Sequence, residues 1–72
     1  MQISDPRIVL KGKLLETGIS KAEATAISLE AGSSQTTVDR EYLDTNYHFS
    51  NKIKIEILYS IGKFYSGSLV EN

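Results

Sequence analysis

The sequence predicts an all-α fold: four to five short helices in one compact domain spanning residues 1–72. Three observations carry that prediction. Asp5-Pro6 and Ser20-x-x-Glu23 are helix starts. The first sets a capping carboxylate before a proline at the first helical position, where the missing N–H costs nothing. The second is a capping box, in which hydroxyl and carboxylate each satisfy an orphan backbone N–H. Apolar residues also recur at helical spacing, most completely in Ile53, Ile57, Ile61, Phe64 and Tyr65. Lastly, Gly18, Gly32 and Gly67 fall where the periodic stretches run out.

In chain order, the first helix covers most of residues 6–17. Leu10 and Leu14 lie four apart and Ile8 and Leu15 seven apart, giving an apolar stripe up to Gly18. Gly12 inside it costs ~1 kcal/mol relative to alanine, and Ile8-Val9-Leu10 equally opens a strand. The second helix covers 20–30, sustained by alanines, Ile27 and Leu29, and Gly32 is suited to a left-handed ending. Ser34 offers a new N-cap for a third helix over 34–43, in which Val38 and Tyr42 form an inward i, i+4 pair. Two helices joined by a short glycine-containing turn make a helix-turn-helix unit over about 20–43. A polar-aromatic loop follows, with Tyr47, His48 and Phe49. Lys52–Ile57 alternates strictly, the pattern of a strand, whereas its continuation through Tyr65 has helical period over 52–66. Both readings stand at this point. In the helical one Lys52, Glu56, Ser60 and Lys63 oppose the apolar face and Ile55 is left off it. Ser66-Gly67 ends the element, and 68–72 is a tail from which Leu69 folds back on the core.

Ala31-Gly32-Ser33-Ser34-Gln35-Thr36-Thr37-Val38-Asp39-Arg40 resembles the turn and recognition helix of bacterial and phage helix-turn-helix repressors. Gly18-Ile19-Ser20 resembles the start of the second helix in the small Cro-like and Xre-type phage regulators, and Ile57–Phe64 their closing helix. Some positions depart from that pattern. The spacing from Ser20 to Gly32 is longer, residue 33 is serine where the family is apolar, and Glu41 stands where the family buries a side chain. The resemblance implies a transcriptional regulator of a phage-like genetic switch that binds double-stranded operator DNA as a dimer over two half-sites. Ser34, Gln35, Thr36 and Arg40 would then reach base edges or phosphates, and Lys11, Lys13 and Lys21 would contact the backbone.

Charge opens a second reading. Residues 1–21 carry Arg7, Lys11, Lys13 and Lys21 against Asp5 and Glu16, a net of +2. Residues 22–44 carry Arg40 against Glu23, Glu30, Asp39, Glu41 and Asp44, a net of −4. The proposed reading unit is thus the most acidic third of the chain, a poor approach to a polyanion. The alternative is a helix-turn-helix scaffold that docks on a cognate basic repressor as an antirepressor or modulator. Its partner-binding residues would be Glu30, Asp39, Glu41 and Asp44, with Tyr47 and Phe49 as aromatic anchors.

The composition argues against other classes. The chain has no cysteine and one histidine, so it offers neither a thiolate nor a paired-histidine metal site. No glycine-rich phosphate loop is present, and His48 has only Asp44 and Ser50 as loop neighbours, so no enzyme activity, cofactor or small-molecule substrate is expected. No run approaches the ~20 apolar residues of a membrane span. The N-terminus lacks a secretory pattern, and the bacterial host cytoplasm is the expected location. A core of this size supplies roughly 3–5 kcal/mol, which favours a partner or self-association.

Overall fold

Four helices make up the fold: α1 (Pro6–Leu15), α2 (Lys21–Ala31), α3 (Arg40–Asn46) and α4 (Asn51–Ser66). This computed structural model describes residues 5–69, and it is all-α, with no strand among those residues. Residues 70–72 of the expected tail lie outside the described residues.

The start signals act as their chemistry requires. Asp5 Oδ1 accepts the Arg7 N–H at 2.9 Å ahead of Pro6. Both bonds of the capping box form: the Glu23 N–H donates to Ser20 Oγ at 3.0 Å and the Ser20 N–H to Glu23 Oε1 at 2.9 Å. Ser50 caps α4, its Oγ accepting the Ile53 N–H at 3.2 Å. Gly18 and Gly67 adopt the left-handed conformation, with φ of 99° and 77°. Behind Gly67 the Ser68 N–H donates to the Lys63 carbonyl at 2.8 Å, closing α4 as glycine C-caps do.

Lys52–Ile57 is helix, so the strand alternative falls. Ile57 and Ile61 are buried, Ile53 and Phe64 are half-buried against the core, and Ile55 is out in solvent. Burying one face of a helix of 16 residues outweighs six residues of alternation.

Three expectations need correction. The apolar stripe of α1 is narrower than expected: Leu10 and Leu14 are fully buried, but Ile8 is 67% and Leu15 40% exposed. At about 100° per residue, Ile8 and Leu15 share a stripe that sits more than about 100° around the helix from Leu10 and Leu14. Gly32 is not left-handed; its φ of −82° is ordinary helical backbone. A Cβ there would lie 2.5 Å from Cδ of Arg7, so the glycine allows the Arg7 stem to cross the end of α2.

The third correction bears on function. The helix expected over 34–43 begins only at Arg40, and Ser34 does not cap it. Residues 34–35 form a turn in which Ser33 Oγ accepts the Gln35 N–H at 3.1 Å, and 36–38 are irregular. Asp39 is the N-cap, its Oδ1 accepting the Tyr42 N–H at 2.9 Å. Hydroxyl side chains compete for local backbone groups and Thr36-Thr37-Val38 are β-branched, so the run Ser33–Val38 resists helix until a strong cap appears. Val38 is nevertheless inward as expected, 2% exposed. It gets there on the irregular segment, where its own N–H donates to Tyr65 Oη at 2.9 Å.

The core gathers Leu10, Leu14, Ala24, Ile27, Leu43, Ile57 and Ile61 around α1. α1 packs against α2 and α4, and α3 rests on α4. Half-buried Leu69 folds back on this core, as expected.

Candidate interaction surface around α3

The lysines expected beside a DNA groove are dispersed. Lys11 lines the cleft between α1 and α2 with Ile8, Ser28 and Leu29. Lys13 lines the opposite groove, between α1 and α4, with Ile55 and Tyr59. Lys21 is the first residue of α2, whereas Ser34–Thr36 follow that helix's far end. One 11-residue helix therefore separates them, about 15 Å along its axis. Ser34 and Gln35 are exposed and Thr36 half-buried on the irregular segment, off any helix. Arg40 is exposed at the first position of α3 and leans on Asp44, Nε to Oδ2 3.8 Å.

The acidic residues are carried by α3, its cap and the end of α2. Asp39, Glu41 and Asp44 belong to α3 and its cap, all exposed. Glu30, near the end of α2, is close enough to the Tyr42 phenol to act on its ionisation. Asp44 is partly neutralised: Lys54 Nζ donates to its Oδ1 at 2.6 Å, and this bond, opposed by desolvation and aided by the Lys54 and Arg40 charges, holds the carboxyl below its usual range. Glu30, Asp39 and Glu41 have no ion-pair partner among the described residues. Beside them lies an aromatic row. Tyr42 and Tyr47 are tilted at 6.3 Å between ring centres, and Tyr47 stacks on Phe49 at 4.9 Å and 12°. Tyr47 and Phe49 are half-buried against the core, and His48 between them is exposed.

Asp39, Glu41 and Asp44 thus share α3 and its cap with Arg40; Tyr47 and Phe49 follow directly on that helix, and Glu30 acts on Tyr42, whereas Lys11, Lys13 and Lys21 are spread over α1 and α2. No protein-family model, curated protein or solved structure matches this chain. The surface is therefore interpreted from its own chemistry. Among the described residues no three His, Asp or Glu are grouped to hold a metal ion, and no helix is long and apolar enough to cross a membrane.

Two participants were not legible beforehand. Lys54 is ten residues from Asp44 in sequence, and no local spacing rule links them. Tyr65 was expected on the apolar face of α4, yet its ring is partly exposed and its hydroxyl holds Val38.

Tyr42 reports on this surface. Burial, then Tyr47 and the Glu30 carboxylate, push its phenol up to about 12. A raised phenol contributes stability that is complete below the unfolded value near 10 and is lost as pH rises through about 12. Ultraviolet titration is expected to show the Tyr42 phenol ionising near 12. Glu30→Gln should bring that midpoint down, and an unmoved midpoint would separate Glu30 from the surface.

Proposed function

We propose that this protein is a small regulator that works through a protein partner, docking its acidic α3 end on a basic surface such as the DNA-reading face of a helix-turn-helix repressor. The observation that carries the reading is that Glu30 at the end of α2 and Asp39 and Glu41 at the start of α3 have no ion-pair partner among the described residues, while α3 and the loop after it carry the Tyr42–Tyr47–Phe49 row. Complementary charge speeds and orients such an encounter, and half-buried aromatic rings supply the apolar contact that charge alone does not. An antirepressor or modulator of a genetic switch is the corresponding biological role.

Direct operator binding is weaker on the same geometry. Seven residues of α3 begin with Arg40 tied to Asp44 and flanked by Glu41, so a groove-inserted α3 would carry its acids toward phosphates.

The test compares wild type with the double variant Asp39→Asn/Glu41→Gln, against a basic helix-turn-helix repressor and against operator-length duplex DNA at two salt concentrations. Asparagine caps a helix about as well as aspartate, so the fold is retained. Repressor association is expected to slow by roughly tenfold in the variant, with the difference fading as salt rises. Arg40→Ala should leave repressor binding nearly unchanged. Specific DNA binding lost by ~1–3 kcal/mol in Arg40→Ala, with no repressor affinity, would establish the DNA-reading mechanism instead.

A further inference from the structure

The outer face of α4 lies away from the core and carries its own pattern. Ile55 and Tyr59, one turn apart, are 65% and 67% exposed. Gly62 continues that stripe, inside the helix and exposed. A Cβ at Gly62 would meet nothing within 4 Å, so packing within the chain does not call for glycine there. Glycine in a helix interior lowers stability relative to any ordinary residue, and at Gly62 it leaves a notch in the exposed stripe that a large side chain can fill.

The charges beside the stripe identify what fills it. Glu56 and Lys63 are seven residues apart and so share one side of the face, with Tyr59 between them. Neither has an ion-pair partner among the described residues; Lys63 Nζ sits over the Tyr59 ring, 5.1 Å from its centre. One acid and one base placed symmetrically about an exposed aromatic form a self-complementary pattern. In a two-fold interface, residue i meets residue j and residue j meets residue i.

We propose that α4 is the seat of a symmetric homodimer, a second copy of this chain packing antiparallel on Ile55, Tyr59 and Gly62 with Glu56 of each copy against Lys63 of the other. The axis passes beside Tyr59. Ile55 of one copy fills the notch over Gly62 of the second. Tyr59 enters the groove lined by Lys13, Glu16, Thr17 and Ser60, whose methylenes cover the ring while their polar tips meet its hydroxyl. Lys52 then lies at the carboxyl end of the opposite α4, where helix carbonyls favour a cation. Dimerisation through this face leaves the α3 surface open, so it is independent of the function proposed above.

Sedimentation velocity of the full chain over a range of concentrations is expected to show a reversible monomer–dimer equilibrium. Gly62→Gln should abolish the dimer while raising the thermal midpoint of the monomer, a pair of opposite effects that a merely misfolded variant does not give. Glu56→Lys should weaken the dimer roughly tenfold, two ion pairs turning repulsive, and adding Lys63→Glu should restore it. A chain that stays monomeric at every concentration overturns the proposal. So does a dimer that neither Gly62→Gln nor Glu56→Lys disturbs.

Discussion

Val38→Asp is expected to unfold this protein at neutral pH. Val38 is 2% exposed and faces the apolar core, where a carboxylate would have no cation to pair with. An unpaired buried charge costs several kcal/mol, and a domain of 72 residues holds about 5 kcal/mol. Part of that cost is escaped by protonation, so the variant should be least unstable in mild acid and lose further stability as pH rises. The damage also spreads along the backbone. The Val38 N–H anchors the irregular segment to Tyr65 on α4, and a displaced Val38 gives up that bond. Far-UV circular dichroism with urea titration measures the effect. A variant that melts within a degree or two of wild type would place Val38 in solvent and release the segment before α3 from the core.

Leu43→Ala should act more locally and still cost about 3 kcal/mol. α3 has seven residues, far below the ~12–15 that an isolated helix needs in water, so tertiary contact alone maintains it. Leu43 is its one fully buried side chain, and α4 is the helix it rests on. Native-state hydrogen exchange is expected to lose protection at the amides of α3 first, while those of α1, α2 and α4 open only with global unfolding. Because α3 carries Asp39, Glu41 and Asp44, repressor affinity should fall with the same variant. Uniform loss of protection across all four helices would show that α3 is cooperative with the rest.

Much of the fold was legible because helix ends are written in local chemistry. Ser20 with Glu23, Asp5 with Pro6, and the positive-φ glycines at 18 and 67 each act within a few residues of themselves. Their meaning does not depend on what packs nearby. The face of α4 was legible too, since Ile57 and Ile61 repeat at the helical period. Less of the interaction surface could be read. The acids were visible as a run of charge, but the effect of Glu30 on Tyr42 and the stacking of Tyr47 on Phe49 depend on how α3 and the loop after it are held on the rest of the fold.

By itself, then, the sequence determined the all-α fold, the caps at Asp5 and Ser20 and the buried face of α4, because each rests on hydrogen bonds or periodicity spanning a turn or two. Only the tertiary structure decided where the third helix begins, which lysine neutralises Asp44, and why Gly32 is glycine. Ser33–Val38 has only a weak local preference against helix. Burial of Val38, the Tyr65 hydroxyl bond and the Asp39 cap tip it, and the Tyr65 bond spans 27 residues. Lys54 and Arg7 likewise act across distances that spacing along one helix does not encode. A preference of a few tenths of a kcal/mol per residue yields to such contacts, and local signals lose their authority there.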